Sequence, residues 1–358
     1  MKKLNIAIIG QGRSGKDIHG LFYRSESNKF FNIKYVVELE EALRNEALTL
    51  YPGCQVFSNY RDLFDKTDID LVVNDTFSNL HYEITKDLIE HGFNVLTEKP
   101  FARTRFDCDT LAKLAKDKGV LLTCFQQTMF APYYQHLLQI VKDKVIGEPL
   151  QISIRYNGFS RRWDWQTLQK RMAGNAYNTG PHPFGVALGL VDFDKNAKVV
   201  YSSLKTSQMS SGDSDDYCKV IIATPNKPLI DIEINNTDAY NDGYCVKIQG
   251  TKGTYKTDTD NWEYTYIKEG ENVPRPVVEN SLCDEEGKHV YCGEELIKHT
   301  ESGVYNGNAF DEGTRGLYEN LYYVLTEGKP LYVTMDMVGD IIGVIETIHA
   351  QNPLTIKF

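Results

Sequence analysis

The sequence predicts two domains of different class: an α/β domain on a parallel sheet, then an α+β domain with a large, mostly antiparallel sheet. Three observations carry this. Up to residue 125, short apolar runs alternate with helical segments, and a glycine-rich turn follows the first run. After Gly147-Glu148-Pro149 the pattern becomes apolar/polar alternation. Strands separated by helices pair in parallel through right-handed crossovers, whereas alternation marks antiparallel strands with one face on a core. The expected division is therefore 1–125 and 126–358, with the C-terminal helices able to pack back on the first domain.

In chain order, Leu4 to Ile9 reads as a buried strand, Gly10 to Gly15 as a turn, and the segment through about Tyr23 as a helix. Ile33 to Val37 is the second strand, and Glu40 to Leu50 has helical composition. Strands follow at Gln55 to Phe57 and Asp70 to Asn74, then a helix from about His81 to His91. The next strand, Asn94 to Thr97, runs into Glu98-Lys99-Pro100. A helix over Phe106 to Lys118 stops at Gly119, a residue suited to the position past a helix end, and Val120 to Phe125 is a further strand. Beyond a helix at Tyr133 to Lys144, alternation predicts strands near Leu150 to Tyr156, Lys198 to Leu204, Asp216 to Ala223 and Pro228 to Ile234. Three more are expected at Tyr244 to Ile248, Thr254 to Thr257 and Glu263 to Ile267, and helices at Phe310 to Thr326 and Met335 to His349 close the chain.

Composition sets limits. At 358 residues, 41% hydrophobic and 25% charged, the chain is long enough for two cores and carries no disordered or fibrous signature. A net charge of −10 argues against nucleic-acid and anionic-membrane partners, and Arg161-Arg162 is a pair, not a patch. The apolar stretch Leu4 to Ile9 is too short for a signal peptide and leads to no cleavage site, and no apolar run approaches a membrane span. Seven scattered cysteines without a Cys-x-x-Cys read as reduced thiols of a cytoplasmic protein. The histidines form no ligand-spaced cluster, so no metal is expected.

Gly10-Gln11-Gly12-Arg13-Ser14-Gly15 matches G-x-G-x-x-G directly after a buried strand and before a helix. In that setting Gly10 permits the turn, Gly12 lets the backbone approach a pyrophosphate, and Gly15 lets the helix pack on its strand. The first domain therefore reads as a Rossmann dinucleotide-binding domain. Glu38, at the end of the second strand, is placed to accept both adenosine ribose hydroxyls and to repel a 2′-phosphate, favouring NAD. Glu40 and Glu41 compete for that role, and Arg13 leaves NADP as the alternative because it can pair with a phosphate. Ligands of such sheets bind outside the carboxyl ends of the strands, which is where Glu98-Lys99-Pro100 falls.

Together with these features, Asp75-Thr76-Phe77-Ser78-Asn79-Leu80-His81, the Gly147-Glu148-Pro149 step and the closing helices resemble the glucose–fructose oxidoreductase/inositol dehydrogenase (Gfo/Idh/MocA) family. Phe77 and Ser78 replace the family's usual proline and asparagine, while Thr76 and His81 are in place. The resemblance implies a cofactor site drawing on Asp75, Thr76, Phe77, Asn79, His81, Glu98, Lys99 and Gln127 beside the glycine turn. It also implies that Lys99 meets the substrate hydroxyl beside the nicotinamide. Burial and an oxidised nicotinamide disfavour its ammonium form, and the Lys99–Pro100 bond is expected to be cis.

The family's second catalytic group would be His182 of Asn178-Thr179-Gly180-Pro181-His182. The usual acids around it are replaced by Asn178 and Gly185, so Asn178 is expected to orient the imidazole by hydrogen bonding. Arg162, Trp163 and Trp165 lie in the connection that runs over the pocket in the family. They read equally as sugar-binding groups or as packing and ion-pairing within the domain or at an oligomer interface. The implied activity is hydride transfer between a hydroxyl carbon of a sugar, cyclic polyol or sugar derivative and NAD(P), by a homodimer or homotetramer. An NAD-retaining glycosidase-type enzyme and a catalytically silent dinucleotide-binding regulator are the alternatives.

Overall fold

Runs of Val, Ile and Leu bounded by turns place the first sheet at the centre of the N-terminal half, as the computed structural model shows for the described residues, 2–240 and 242–358. Its strands are β1 (Leu4–Ile9), β2 (Phe31–Val37), β3 (Gln55–Phe57), β4 (Leu71–Asn74), β5 (Val95–Thr97) and β6 (Leu122–Cys124). They are all parallel, in the order β3-β2-β1-β4-β5-β6. The connecting helices are α1 (Gly20–Arg24), α2 (Glu41–Leu50), α3 (His81–Glu90) and α4 (Arg105–Lys118). Thr104 and Asp107 cap α4 reciprocally, and Gly119 ends it in the left-handed conformation.

The C-terminal half begins with α5 (Pro132–Lys142) and β7 (Pro149–Asn157), followed by α6 (Pro181–Gly189), β8 (Lys198–Lys205), β9 (Tyr217–Ala223) and β10 (Leu229–Asn235). It continues through β11 (Val246–Gly250), β12 (Gly253–Thr257), β13 (Asn261–Tyr266), β14 (Leu282–Cys283), β15 (His289–Val290) and β16 (His299–Val304). Helices α7 (Ala309–Glu327) and α8 (Met335–Gln351) close the chain. Eight of these strands form one sheet, β16-β13-β12-β11-β7-β10-β9-β8, while β14 and β15 pair apart as an exposed hairpin. The sheet is antiparallel except at its centre, where β10 runs parallel to β7. That pair needs a crossover, and α6 supplies it with β8 and β9.

Two cores divide the work. Ile6, Ile8, Val36, Val73 and Leu96 on one side of the first sheet pack with Leu317, Tyr318 and Leu321 of α7, so the late helix completes the early domain. Ala7, Ile9, Val72 and Val95 on the other side join a continuous core that includes Ile152, Ile154, Ile230 and Ile232 of the second sheet and Ile341 and Ile345 of α8. Burying a side chain of this size contributes roughly 1.5–3 kcal/mol, which is why the alternation of β7 and β10 fixes their register.

Three local expectations are corrected. The helix after Gly15 begins as a wide π-type turn over Ser14–His19 before α1. Such a turn accommodates one extra residue, and both Gly15 and His19 end up buried. The edge strand β16 escapes the alternation rule because its sequence, His-Thr-Glu-Ser-Gly-Val, has almost no buried face. The hairpin lies within 268–298, which is exposed except at half-buried Asn272 and offers no core signal. Among the described residues no helix is long and apolar enough to cross a membrane, and all seven cysteines are free.

Candidate active site

The glycine turn is built by close approach. Gly10 sits at φ +100°, and a Cβ there would lie 2.5 Å from the Asp75 carbonyl oxygen. A Cβ on Gly15 would lie 2.1 Å from the Gly10 carbonyl, so the helix can rest against the turn only with glycine there. Nothing lies within 4 Å of the corresponding point on Gly12, leaving that face open. Glu38 stands beside it, its carboxylate accepting from the Gln11 N–H at 2.7 Å and the Glu40 N–H at 3.0 Å. A carboxylate has about four lone-pair directions, so both oxygens retain capacity for ribose hydroxyls.

At the end of β5, neighbouring residues point opposite ways: Glu98 is buried, while Lys99 is partly exposed and reaches across to the second domain. The Lys99–Pro100 peptide is cis. Lys99 Nζ donates to the Asn178 carbonyl oxygen at 3.1 Å and lies 3.4 Å from Asn178 Oδ1, which Gln166 Nε2 also meets at 3.1 Å.

Half-buried His182, in the first turn of α6, pairs Nδ1 with Thr128 Oγ1 at 2.8 Å. Burial, then the nearby Lys99 charge, pushes its pKa down to about 3. His182 is therefore a neutral imidazole with Nε2 left for a ligand.

One expectation changes here. Thr128, not Asn178, holds the imidazole, and Asn178 holds the lysine. The reason is local: Asn175–Thr179 forms a π-type turn, in which residues four apart no longer share a side as they do in an α-helix.

Behind Lys99 lies a charged cluster. Buried His19 pairs Nε2 with Glu98 Oε1 at 3.1 Å and Nδ1 with Tyr318 Oη at 2.6 Å. Asp75 Oδ2 is 3.7 Å from His19 Nε2 and has no hydrogen bond. Burial alone would lower the His19 pKa, but Asp75 and then Glu98 overcome it, so the net shift is upward. For Glu98, burial is overcome by the His19 hydrogen bond and the Lys99 charge, holding it below the usual range, while burial is the main cause of an upward shift at Asp75. The His19, Asp75 and Glu98 ligand atoms lie within 4.8 Å of one another, close enough for a metal ion. The ring nitrogen facing both acids is already engaged by Glu98, so the group reads as an internal ion pair. His19 was missed in the sequence; its only signal was a position four residues past Gly15, on the inner side of the helix start.

The remaining predicted residues separate into roles. His81 is buried with Nδ1 at 2.8 Å from the Pro100 carbonyl and Nε2 at 3.1 Å from that of Thr76; burial favours the neutral ring, whose single N–H donates to one of the two, and neither nitrogen faces a ligand. Thr76 Oγ1 donates to Asn74 Oδ1 at 2.8 Å. Phe77 meets Trp165 edge-on at 5.0 Å, Arg171 stacks on Phe77, and Asn79 Oδ1 accepts from Arg171, tying the loop after β4 to the second domain. Trp163 is 78% exposed, so within a single chain it does not line the cleft. Arg162 pairs with Asp164 at 3.0 Å. Arg13 extends toward the second domain, where it lines a cavity with Arg161 and Asn178.

The residues fit a dinucleotide by their own unmet needs. Side-chain oxygens of Gln11, Gln126 and Gln127 are buried without partners around the strand ends. Such groups call for a donor, and a carboxamide is one.

Comparison with known proteins bears on the family and the fold. The oxidoreductase family with an NAD-binding Rossmann fold (Gfo/Idh/MocA) matches residues 4–126, and the Gfo/Idh/MocA C-terminal domain matches residues 134–256. The 2,7-anhydro-N-acetylneuraminate hydratase of Mediterraneibacter gnavus is 23% identical over 83% of this chain and 78% of its own. The scyllo-inositol 2-dehydrogenase (NADP+) of Bacillus subtilis is 24% identical over 54% of this chain and 53% of its own. Among solved structures, levoglucosan dehydrogenase in complex with NADH and levoglucosan has a TM-score of 0.77 at 19% identity, covering 98% of this chain and 97% of that one. The two domain matches, laid over the Rossmann sheet and the large mixed sheet, establish that the chain belongs to the Gfo/Idh/MocA family of NAD(P)-binding oxidoreductases.

Proposed function

We propose that the protein transfers hydride between a hydroxyl carbon of a sugar, cyclic polyol or sugar derivative and nicotinamide. The observation that carries this is Lys99 Nζ, held by Asn178 at the strand ends where the open glycine turn also lies. When bound, the dinucleotide supplies the hydride acceptor. Gly12 and Glu38 would hold its phosphate and ribose ends, and Gln126 and Gln127 its carboxamide. Lys99 takes the hydroxyl proton at Nζ as the carbon loses hydride and returns it in the reverse direction. Neutral His182 steers the same hydroxyl through Nε2 without adding charge. Relatives named as a scyllo-inositol dehydrogenase and a levoglucosan dehydrogenase support the substrate class. An NAD(P)H-absorbance screen against sugars, inositols and sugar derivatives tests the proposal; no Lys99-dependent cofactor reduction with any of them would sink it.

NAD is the favoured cofactor because Glu38 lies beside the turn, whereas Arg13 leans into the second domain. In the same assay Glu38→Ala should lower kcat/KM with NAD about tenfold or more, the value of losing a charged hydrogen-bond acceptor, and narrow the gap to NADP. An unchanged NAD/NADP ratio would assign the choice elsewhere.

A second reading, in which the cofactor returns to its starting state each turnover, is favoured by two relatives named hydratases, since hydration involves no net redox change. Product formed without accumulated NADH would select it.

The free cysteines suit a reducing, cytoplasmic compartment. The face of the large sheet carrying Arg155, Lys219, Asp231 and Glu233 suits a homodimer or homotetramer. Light scattering tests this, and a monomer at assay concentration would refute it.

A further inference from the structure

A polar cavity of about 300 Å³ opens beside the lysine cradle, between the glycine turn and the second domain, with Asn178 in its wall. That is the lower end of the size range for small-ligand pockets. Its far wall is made firm by backbone bonds between two segments. Arg162 N donates to the Met209 carbonyl at 2.9 Å, Ser211 N to that of Arg162 at 3.0 Å, and Ser214 N to that of Thr167 at 3.0 Å. Gly212 lets them close up, since a Cβ there would lie 2.0 Å from the Thr167 oxygen.

The cavity's unmet needs describe its ligand. Three buried oxygens, Ser210 Oγ, Ser214 Oγ and Asp215 Oδ1, have no hydrogen-bond partner, an uncommon and costly condition unless something else supplies one. The charges around them are unevenly matched. Arg162 is paired with Asp164, and Asp216 is spent on Ser207, whose N–H and hydroxyl reach it at 2.7–3.1 Å. Asp215 takes the Ala176 N–H on its other oxygen, and burial pushes its pKa up to about 7. Arg13 and Arg161 both line the cavity, and neither has an acidic partner among the described residues. Two unpaired guanidinium groups in one cavity stand out in a chain with a net charge of −10. Guanidinium forks match carboxylate and phosphate oxygens.

We infer that this cavity receives the far end of the substrate and that this end is anionic: a carboxylate or phosphate on a polyhydroxylated molecule. Arg13 and Arg161 take the charge, and Ser210, Ser214 and Asp215 take hydroxyls. The near end rests on the hydride-transfer reading above, because Asn178 belongs both to the cavity and to the Lys99 cradle.

The test is calorimetric binding to the NADH-loaded protein. The probes are D-gluconate and D-glucuronate for the carboxylate arm, glucose 6-phosphate for the phosphate arm, and glucose and myo-inositol as neutral counterparts. At least one anionic probe should bind about tenfold or more tightly than its neutral counterpart, as charge-assisted hydrogen bonds warrant, and the better arm names the group. Arg161→Ala should remove most of that advantage and Arg161→Lys should restore part of it, with NADH binding showing that each variant is folded. Neutral probes binding as tightly, no anionic probe binding, or an advantage that survives Arg161→Ala would each overturn the inference. Cofactor reduction by neutral sugars alone would overturn this subsite and keep hydride transfer. Arg161-dependent anion binding without turnover of any sugar would do the reverse.

Discussion

Lys99→Ala should lower kcat by about 10²–10⁴-fold, the usual worth of a positioned proton-transfer group, while dinucleotide affinity stays within a few-fold. The asymmetry follows from where the side chain goes. Lys99 Nζ bonds to Asn178 in the second domain, whereas the glycine turn and Glu38 belong to the first. His182 cannot substitute as a base with its full strength. Its pKa is pushed down to about 3 by burial and the Lys99 charge, and although losing Lys99 relieves the second cause, burial remains. Stopped-flow turnover and NADH fluorescence titration on the same variant check the two halves. Unchanged turnover would remove Lys99 from the chemistry, and lost NADH binding would make its role structural.

Glu98→Ala should destabilise the fold by about 3 kcal/mol, the lower end of the cost of breaking a buried ion pair. It leaves the His19 ring without its acceptor and Asp75 as the nearest acid. The pH dependence has a definite sign. His19 has a raised folded pKa, so its contribution is complete below its ordinary 6.5 and disappears as pH rises through the folded value. Glu98 has a depressed one, so its contribution is complete above its ordinary 4.5 and is lost as pH falls through the folded value. Asp75, raised mainly by burial, ionises late and then sets a second negative charge beside Glu98. The cost of the substitution should therefore be largest near about pH 6 and shrink in alkaline solution, once the pH has risen through the folded His19 value. Urea unfolding of wild type and variant across that range measures it. A pH-independent difference would mean that packing, not charge, holds the cluster.

The parts of this molecule that were legible in the sequence are those set by short-range rules. The glycine turn needs glycine at Gly10 and Gly15 for steric reasons that hold in any context, and the β10 alternation follows from a strand with one face on the core. What was not legible depends on contacts far apart in the chain. His19 and Tyr318 are 299 residues apart, so nothing local marks their hydrogen bond. Thr128 and His182 are 54 apart, and the expectation that Asn178 would orient the imidazole applied an α-helical spacing to a π-type turn. The edge strand β16 and the exposed hairpin bury too little to leave a pattern. Arg162 and Trp163 were grouped by a shared connection over the pocket, but neighbouring side chains diverge: Arg162 lines a cavity and Trp163 points to solvent.

The Lys99–Asn178 contact has a stereochemical consequence. A lysine ammonium has three N–H bonds, and Asn178 presents two oxygens to them, at 3.1 and 3.4 Å. When the amine is neutral, its two remaining hydrogens can stay on those oxygens, and the lone pair then occupies the one tetrahedral direction left over. A flexible four-carbon chain is in this way given a fixed bearing. Asn178 adds no charge to the site, yet under the proposed hydride transfer it would aim the base, and the hydroxyl to react would be the one lying along that line.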